Sequence, residues 1–335
     1  MLAPSRLGLA ALTTVSPESL WAPFPDNRKP LMTTKVGKLT EQSSVRRWQM
    51  DELTFTYVVD GSMWLAANIF LHAIPTTYWD ENPAQIDHDG CVAMSAGGLL
   101  VQAPDVTLLI DAGLGNMKSD NAIGRNDSGE FLNTLAALGV HPDDIDVFAL
   151  THLHVDHAGW AFLDGDDGRR EPTFPNARYV VAELELQPFH RGERPLGACD
   201  HDSIIEPMER LSALSRITDG DEILPGVRSL ITPGHSAGHT SYAISSSSGQ
   251  RLIAFGDAFH VPAQLSHPEW GSAPDAAPDL VPAARARLLD ELCQPDTFAF
   301  AIHFGDQPFG RVVQSRSREV DWQPIATEIL AAPPR

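Results

Sequence analysis

Thr151-His152-Leu153-His154-Val155-Asp156-His157-Ala158-Gly159 packs three imidazoles and a carboxylate into the stretch 152–157. The apolar run Val147-Phe148-Ala149-Leu150 comes directly before it. Such a run ending in polar side chains reads as a buried strand delivering metal ligands at its C-terminal end. Histidine is scarce, 13 of 335 residues, so the clustering points to a site.

Working outward, four more apolar runs end in a candidate ligand: Asp111 after Leu108-Leu109-Ile110, His235 after Leu230-Ile231-Thr232-Pro233-Gly234, Asp257 after Leu252 to Gly256, and His303 after Phe298 to Ile302. One such residue at a strand end usually caps a turn. Recurrence after separate strands implies loops converging at one sheet edge. Strands are expected at Leu53–Val59 (turning at Asp60-Gly61), 98–102, 106–110, 178–182, 222–231, 240–245, 251–255 and 298–302, and helices at 130–138, 202–214 and 281–292. Strand-rich ends with intervening helices suggest two sheets face to face with helices outside. Residues 1–50 are rich in Pro, Ser and Thr and read as an extended or disordered arm before a domain over 51–335.

The net charge of −20 disfavours nucleic acid or an anionic membrane as partner. No apolar stretch is long enough to span a bilayer. Three widely spaced cysteines, Cys91, Cys199 and Cys293, form no disulfide framework and suit a reducing, cytoplasmic setting. The short apolar stretch Leu7–Val15 keeps secretion as the alternative.

The string His152-x-His154-x-Asp156-His157, followed by His235, Asp257 and His303, resembles the metallo-β-lactamase superfamily of metal-dependent hydrolases. The resemblance runs from about Asp60 to His303. It implies an α+β fold, a four-layer αβ/βα sandwich, with two divalent metal ions. His152, His154 and His235 would hold one ion, Asp156, His157 and His303 the other, and Asp257 both. Asp111 would support the histidine loop from behind, and His239 matches a position that is usually structural. Imidazole and carboxylate ligands suit Zn, Fe, Mn or Co and select none of them, with Zn the first expectation. The chemistry expected is a metal-bridging hydroxide, because metal binding lowers the pKa of water from ~15.7 to ~7.

Trp160 after the histidine motif, the stretch Gly256 to Trp270 and the basic helix around Arg285 and Arg287 resemble the branch of methyl-parathion hydrolase and quorum-quenching lactonases. That implies a small-molecule lactone or carboxylic ester as substrate, often with a homodimer. Phosphotriester or aryl-ester hydrolysis is the alternative, and an iron-dependent redox enzyme on the same ligands a more distant one. No tyrosine matches the leaving-group tyrosine of the small lactonases, since Tyr242 lies just after His239 within a strand. Protonation of the leaving alkoxide is therefore expected to fall to Asp156, His260 or water, with Asp156 and His260 the candidate catalytic residues. Trp160, Phe304 and Phe309 adjoin ligands and are candidates for an apolar substrate pocket.

Overall fold

The computed structural model describes residues 34–316 and 319–332. Its two large sheets differ in order and share one interior. The first sheet has eleven strands. Its main path runs Thr34–Lys35, Thr327–Ala331, Val45–Met50, Leu53–Ala66, Cys91–Ala103, Val106–Ile110, Val147–Ala149, Arg178–Ala182 and Leu214–Ile217. The second has seven: Glu222–Leu224, Val227–Ile231, Thr240–Ser245, Arg251–Ala254, Thr297–Phe300, Phe309–Gln314 and Val320–Pro324.

Alternation along the strands builds the layers, because successive side chains point to opposite faces. Tyr57, Val59, Leu108, Ile110, Val147 and Ala149 face inward and meet Tyr242, Ile244, Leu252, Ala254 and Phe300 of the second sheet. Val58, Leu109, Phe148 and Val181 face outward and pack under Phe131 and Leu135 of the helix Phe131–Ala137 and Leu186 of Glu183–His190. On the far side, Ile253 and Ala299 pack under Leu288 and Leu292 of the helix Val281–Leu292. Helix, sheet, sheet, helix is the expected α+β sandwich. Among the described residues no helix is long and apolar enough to cross a membrane.

Several expectations need correction. Within the segment assigned to the arm, Thr34–Lys35 and Val45–Met50 are strands of the first sheet: Arg46 and Arg47 pair with Tyr57 and Thr56 on one side and with the C-terminal strand on the other. Arg46 is buried and its guanidinium grips Asp306, with Nε 2.6 Å from Oδ1. Residues 1–33, with Leu7–Val15, lie outside the described residues.

The strand from Leu53 does not turn at Asp60-Gly61 but runs to Ala66 through a bulge between Val59 and Gly61. The helix expected over 202–214 is broken into a π-turn, His201–Ile205, and one α-turn, Glu206–Glu209, and Leu214 leaves it to pair with Tyr179. The strand expected over 222–231 is a hairpin, because Gly226 takes φ +81° and reverses the chain.

Candidate metal centre

All five ligand-bearing segments meet at one edge where the sheets join. Ligand atoms of His152, His154, His235 and Asp257 lie within 4.8 Å of one another, as do those of Asp156, His157, Asp257 and His303. Asp257 belongs to both groups and divides its oxygens between them. Oδ1 lies 3.0 Å from Nε2 of His157 and 3.0 Å from Nε2 of His303. Oδ2 lies 3.3 Å from Nε2 of His235 and 3.9 Å from Nε2 of His152. His154 turns Nδ1 towards this centre, 3.0 Å from Nε2 of His235. Asp156, in the turn Val155–Ala158, has Oδ2 3.6 Å from Nε2 of both His157 and His303. Its side chain is 18% exposed, whereas those of the imidazoles and Asp257 are closed off from solvent.

Local backbone chemistry sets these positions. Asp111 ends its strand with φ +62°, a left-handed conformation that aspartate tolerates better than most residues. Its carboxylate then turns back on the histidine loop. Oδ1 accepts the Thr151 N–H at 2.8 Å, and Oδ2 accepts the Thr151 hydroxyl at 2.8 Å and meets Nδ1 of His157 at 2.9 Å. Thr151 Oγ1 is in turn 3.0 Å from Nδ1 of His152. Nδ1 of His303 faces the Ser95 carbonyl at 3.1 Å. Gly256 has φ +49°, and a Cβ there would come within 2.8 Å of Nε2 of His239. With no Cβ in the way, His239 accepts the Asp257 N–H at 2.9 Å.

Burial and the neighbouring imidazoles hold His152 well below the usual histidine range, and His154 likewise. Burial pulls His157 down, but Asp257, Asp156 and Asp111 outweigh it and carry it well above that range. Asp257, despite burial, is held well below the usual carboxylate range by His157, His303 and His260. Burial lowers His239 to about 3, which keeps it a neutral acceptor at Nε2.

The donor set fits two cations. Imidazole nitrogens and carboxylate oxygens are the ligands such ions take. Nε2 of His152 is buried with no hydrogen-bond partner among the described residues, and a buried polar atom of a native site ordinarily has one.

Two of the three expected pocket residues are core residues. Phe304 packs against Phe255 and Trp322 in the core outside the second sheet. Phe309 lies between the sheets against Phe300. Both follow apolar strands, so adjacency to a ligand in sequence did not mean adjacency to substrate. Trp160 is half-buried and donates Nε1–H to Asp60 at 2.9 Å. His260 is fully buried, with Nε2 3.1 Å from Oδ2 of Asp257 and the edge of Phe70 against its ring. That contact lets it steady Asp257. The Tyr242 hydroxyl donates to the Leu150 carbonyl at 2.9 Å inside the core.

Three carboxylates went unnoticed in the sequence. Asp60 accepts the N–H groups of Leu114 at 2.8 Å, Gly115 at 3.1 Å, Gly129 at 3.1 Å and Phe131 at 2.9 Å. Glu185 joins the two histidine loops by accepting from Leu153 N–H at 3.0 Å and from the Ser236 hydroxyl and Gly238 N–H at 2.7 Å each. Asp275 faces Nδ1 of His235 at 2.9 Å. The only signal for Asp60 was the Asp-Gly pair, which reads as a turn; the other two had none.

The metallo-β-lactamase superfamily profile matches residues 98–298. The chain belongs to that superfamily. A relative, the N-acyl homoserine lactonase of Bacillus thuringiensis, is 32% identical over 124 residues, 36% of this chain and 42% of the relative. The match thus spans about two fifths of that protein's length. Among solved structures, the hydrolase AbOPH of the β-lactamase superfamily superposes with a TM-score of 0.71 at 23% identity, over 85% of this chain and 98% of that one. AidC, described as a dizinc quorum-quenching lactonase in complex with a product, N-hexanoyl-L-homoserine, gives 0.69 at 22% identity over 85% and 98%. At these identities the superpositions speak for the metallo-β-lactamase fold.

Proposed function

We propose that this metallo-β-lactamase family member is a dinuclear metal-dependent hydrolase that opens a lactone ring or cleaves a carboxylic ester. The observation that carries the reading is Asp257, whose two oxygens each face a separate group of imidazoles. His152, His154 and His235 with Asp257 would hold one cation, and Asp156, His157 and His303 with Asp257 the other. Zinc is the first choice, supported by the donor set and by the dizinc relative. Such a pair of cations supplies Lewis acidity towards a carbonyl and makes water a strong nucleophile near neutral pH.

The chain's own groups do the rest. Asp156 is the partly exposed carboxylate of the centre and would orient a nucleophilic water and carry a proton at Oδ2 to the leaving alkoxide. His239 and His260 keep Asp257 in place from its backbone and its Oδ2. The Bacillus relatives support an N-acyl homoserine lactone as the first substrate to try. A homodimer is part of the same reading. A cytoplasmic setting is part of the same reading, argued from the three widely spaced cysteines of the sequence.

The test is purified protein analysed for metal and screened against acyl-homoserine lactones, aryl esters and phosphotriesters. About two zinc ions per chain with lactone turnover, both lost in Asp257→Ala, is the expected result. Turnover of phosphotriesters alone would move the substrate class, and full turnover by metal-free Asp257→Ala would overturn the mechanism.

A further inference from the structure

The imidazoles of the centre are not anchored alike. In metal sites the nitrogen that does not bind the ion usually meets a carboxylate, carbonyl or water, which fixes the ring and its tautomer. Asp111 serves both groups, touching His157 directly and His152 through the Thr151 hydroxyl. His303 has the Ser95 carbonyl. Nε2 of His154 has no partner among the described residues. His235 has Asp275, a carboxylate that touches no other ligand.

Asp275 is itself rigidly held. Its side chain is 1% exposed. Oδ1 accepts the Ser272 hydroxyl at 2.7 Å, and Oδ2 accepts the Ser272 N–H at 2.7 Å. Gly271 leaves room for it, since a Cβ there would lie 2.8 Å from Oδ2. The segment carrying it is tied on both sides. Ala273 N–H donates to the Phe70 carbonyl at 2.8 Å, Ala276 N–H to the His235 carbonyl at 3.0 Å, and Ala277 N–H to the Gly234 carbonyl at 2.8 Å. The loop that supplies His235 and the loop that orients its ring are therefore one hydrogen-bonded unit.

We infer that Asp275 is a positioning residue for His235 that sets the affinity of the cation position formed by His152, His154, His235 and Asp257, and leaves the other position unchanged. The inference rests on the two-cation reading and is tested without substrate. Zinc affinities are measured by competition with a chromophoric chelator on the full chain. Wild type binds two ions, and Asp275→Ala weakens one of them by about 10–100-fold, the range for losing such a partner. Asp275→Asn, which retains an acceptor for Nδ1–H, recovers part of that loss. His235→Ala and the double variant His235→Ala/Asp275→Ala hold the remaining ion equally well, because Asp275 acts only through His235.

Ser272→Ala covers the case in which Asp275→Ala fails to fold. It deletes one of the bonds that hold the carboxylate, and it weakens the same ion by a smaller factor. Equal weakening of both ions, or unchanged affinity in Asp275→Ala or in Ser272→Ala, overturns the inference. A wild-type chain that binds no zinc overturns the two-cation reading and the inference with it.

Discussion

His239 accepts the backbone N–H of Asp257 at 2.9 Å through Nε2, while Nδ1 pairs with the Thr232 hydroxyl at 2.8 Å. A histidine outside both ligand groups thereby holds the residue shared by them. His239→Ala should reduce kcat/KM by about 10–100-fold, the scale for losing an outer partner of a metal site. Parallel metal analysis should show reduced zinc; wild-type activity and zinc would show that Asp257 needs no such support.

Asp111 combines a left-handed backbone with three contacts to the histidine loop. Asp111→Ala should lower both metal retention and melting temperature, with little effect on KM. Asp111→Asn should keep more of the stability, since asparagine also tolerates this conformation. A change confined to KM would contradict a supporting role.

Glu185 satisfies three donors from two loops in the interior. Its removal strands them, at roughly 1–3 kcal/mol for each unsatisfied group. Urea unfolding of Glu185→Ala should therefore show a loss of at least ~2 kcal/mol; a smaller one would mean that water replaces the carboxylate.

Arg46 and Asp306 are both buried and paired. Arg46→Met leaves an uncompensated carboxylate and should cost about 3–5 kcal/mol. Arg46→Met/Asp306→Leu should be more stable than the single variant, because two apolar side chains leave no buried charge. A double variant as unstable as the single one would assign the effect to packing.

Acidification offers a test through the ligands. Imidazoles bind cations only when neutral, so metal binding releases protons and weakens as pH falls. Zinc content after dialysis at pH 5 should be lower than at pH 7.5, with melting temperature falling in step. Retention of both ions at pH 5 would count against an imidazole-rich centre.

What the sequence disclosed follows a physical division. Ligands sit at the ends of strands, so His152, His235, Asp257 and His303 announce themselves by a local switch from apolar to polar residues. Their anchors carry no such mark: Glu185 meets Leu153 across 32 positions and Asp275 meets His235 across 40, with no spacing rule to find them. The same holds for structure at long range. The strand Arg178–Ala182 was legible from its own residues. Val45–Met50 was not, because its partners include a strand near residue 330. Between 202 and 214 the apolar spacing suited a helix, yet pairing of Leu214 with Tyr179 drew the chain's end into the sheet. Phe304 and Phe309 show the converse limit, for proximity along the chain to His303 was spent on core packing.

The first and last described strands lie side by side, Thr34 opposite Glu328 and Lys35 opposite Thr327. Arg46 and its carboxylate partner are 260 positions apart. During synthesis the guanidinium must wait, without its counterion, until residue 306 has left the ribosome. Closure of that edge is therefore a late event in maturation, and nascent chains stalled before residue 306 should be the form most readily captured by chaperones.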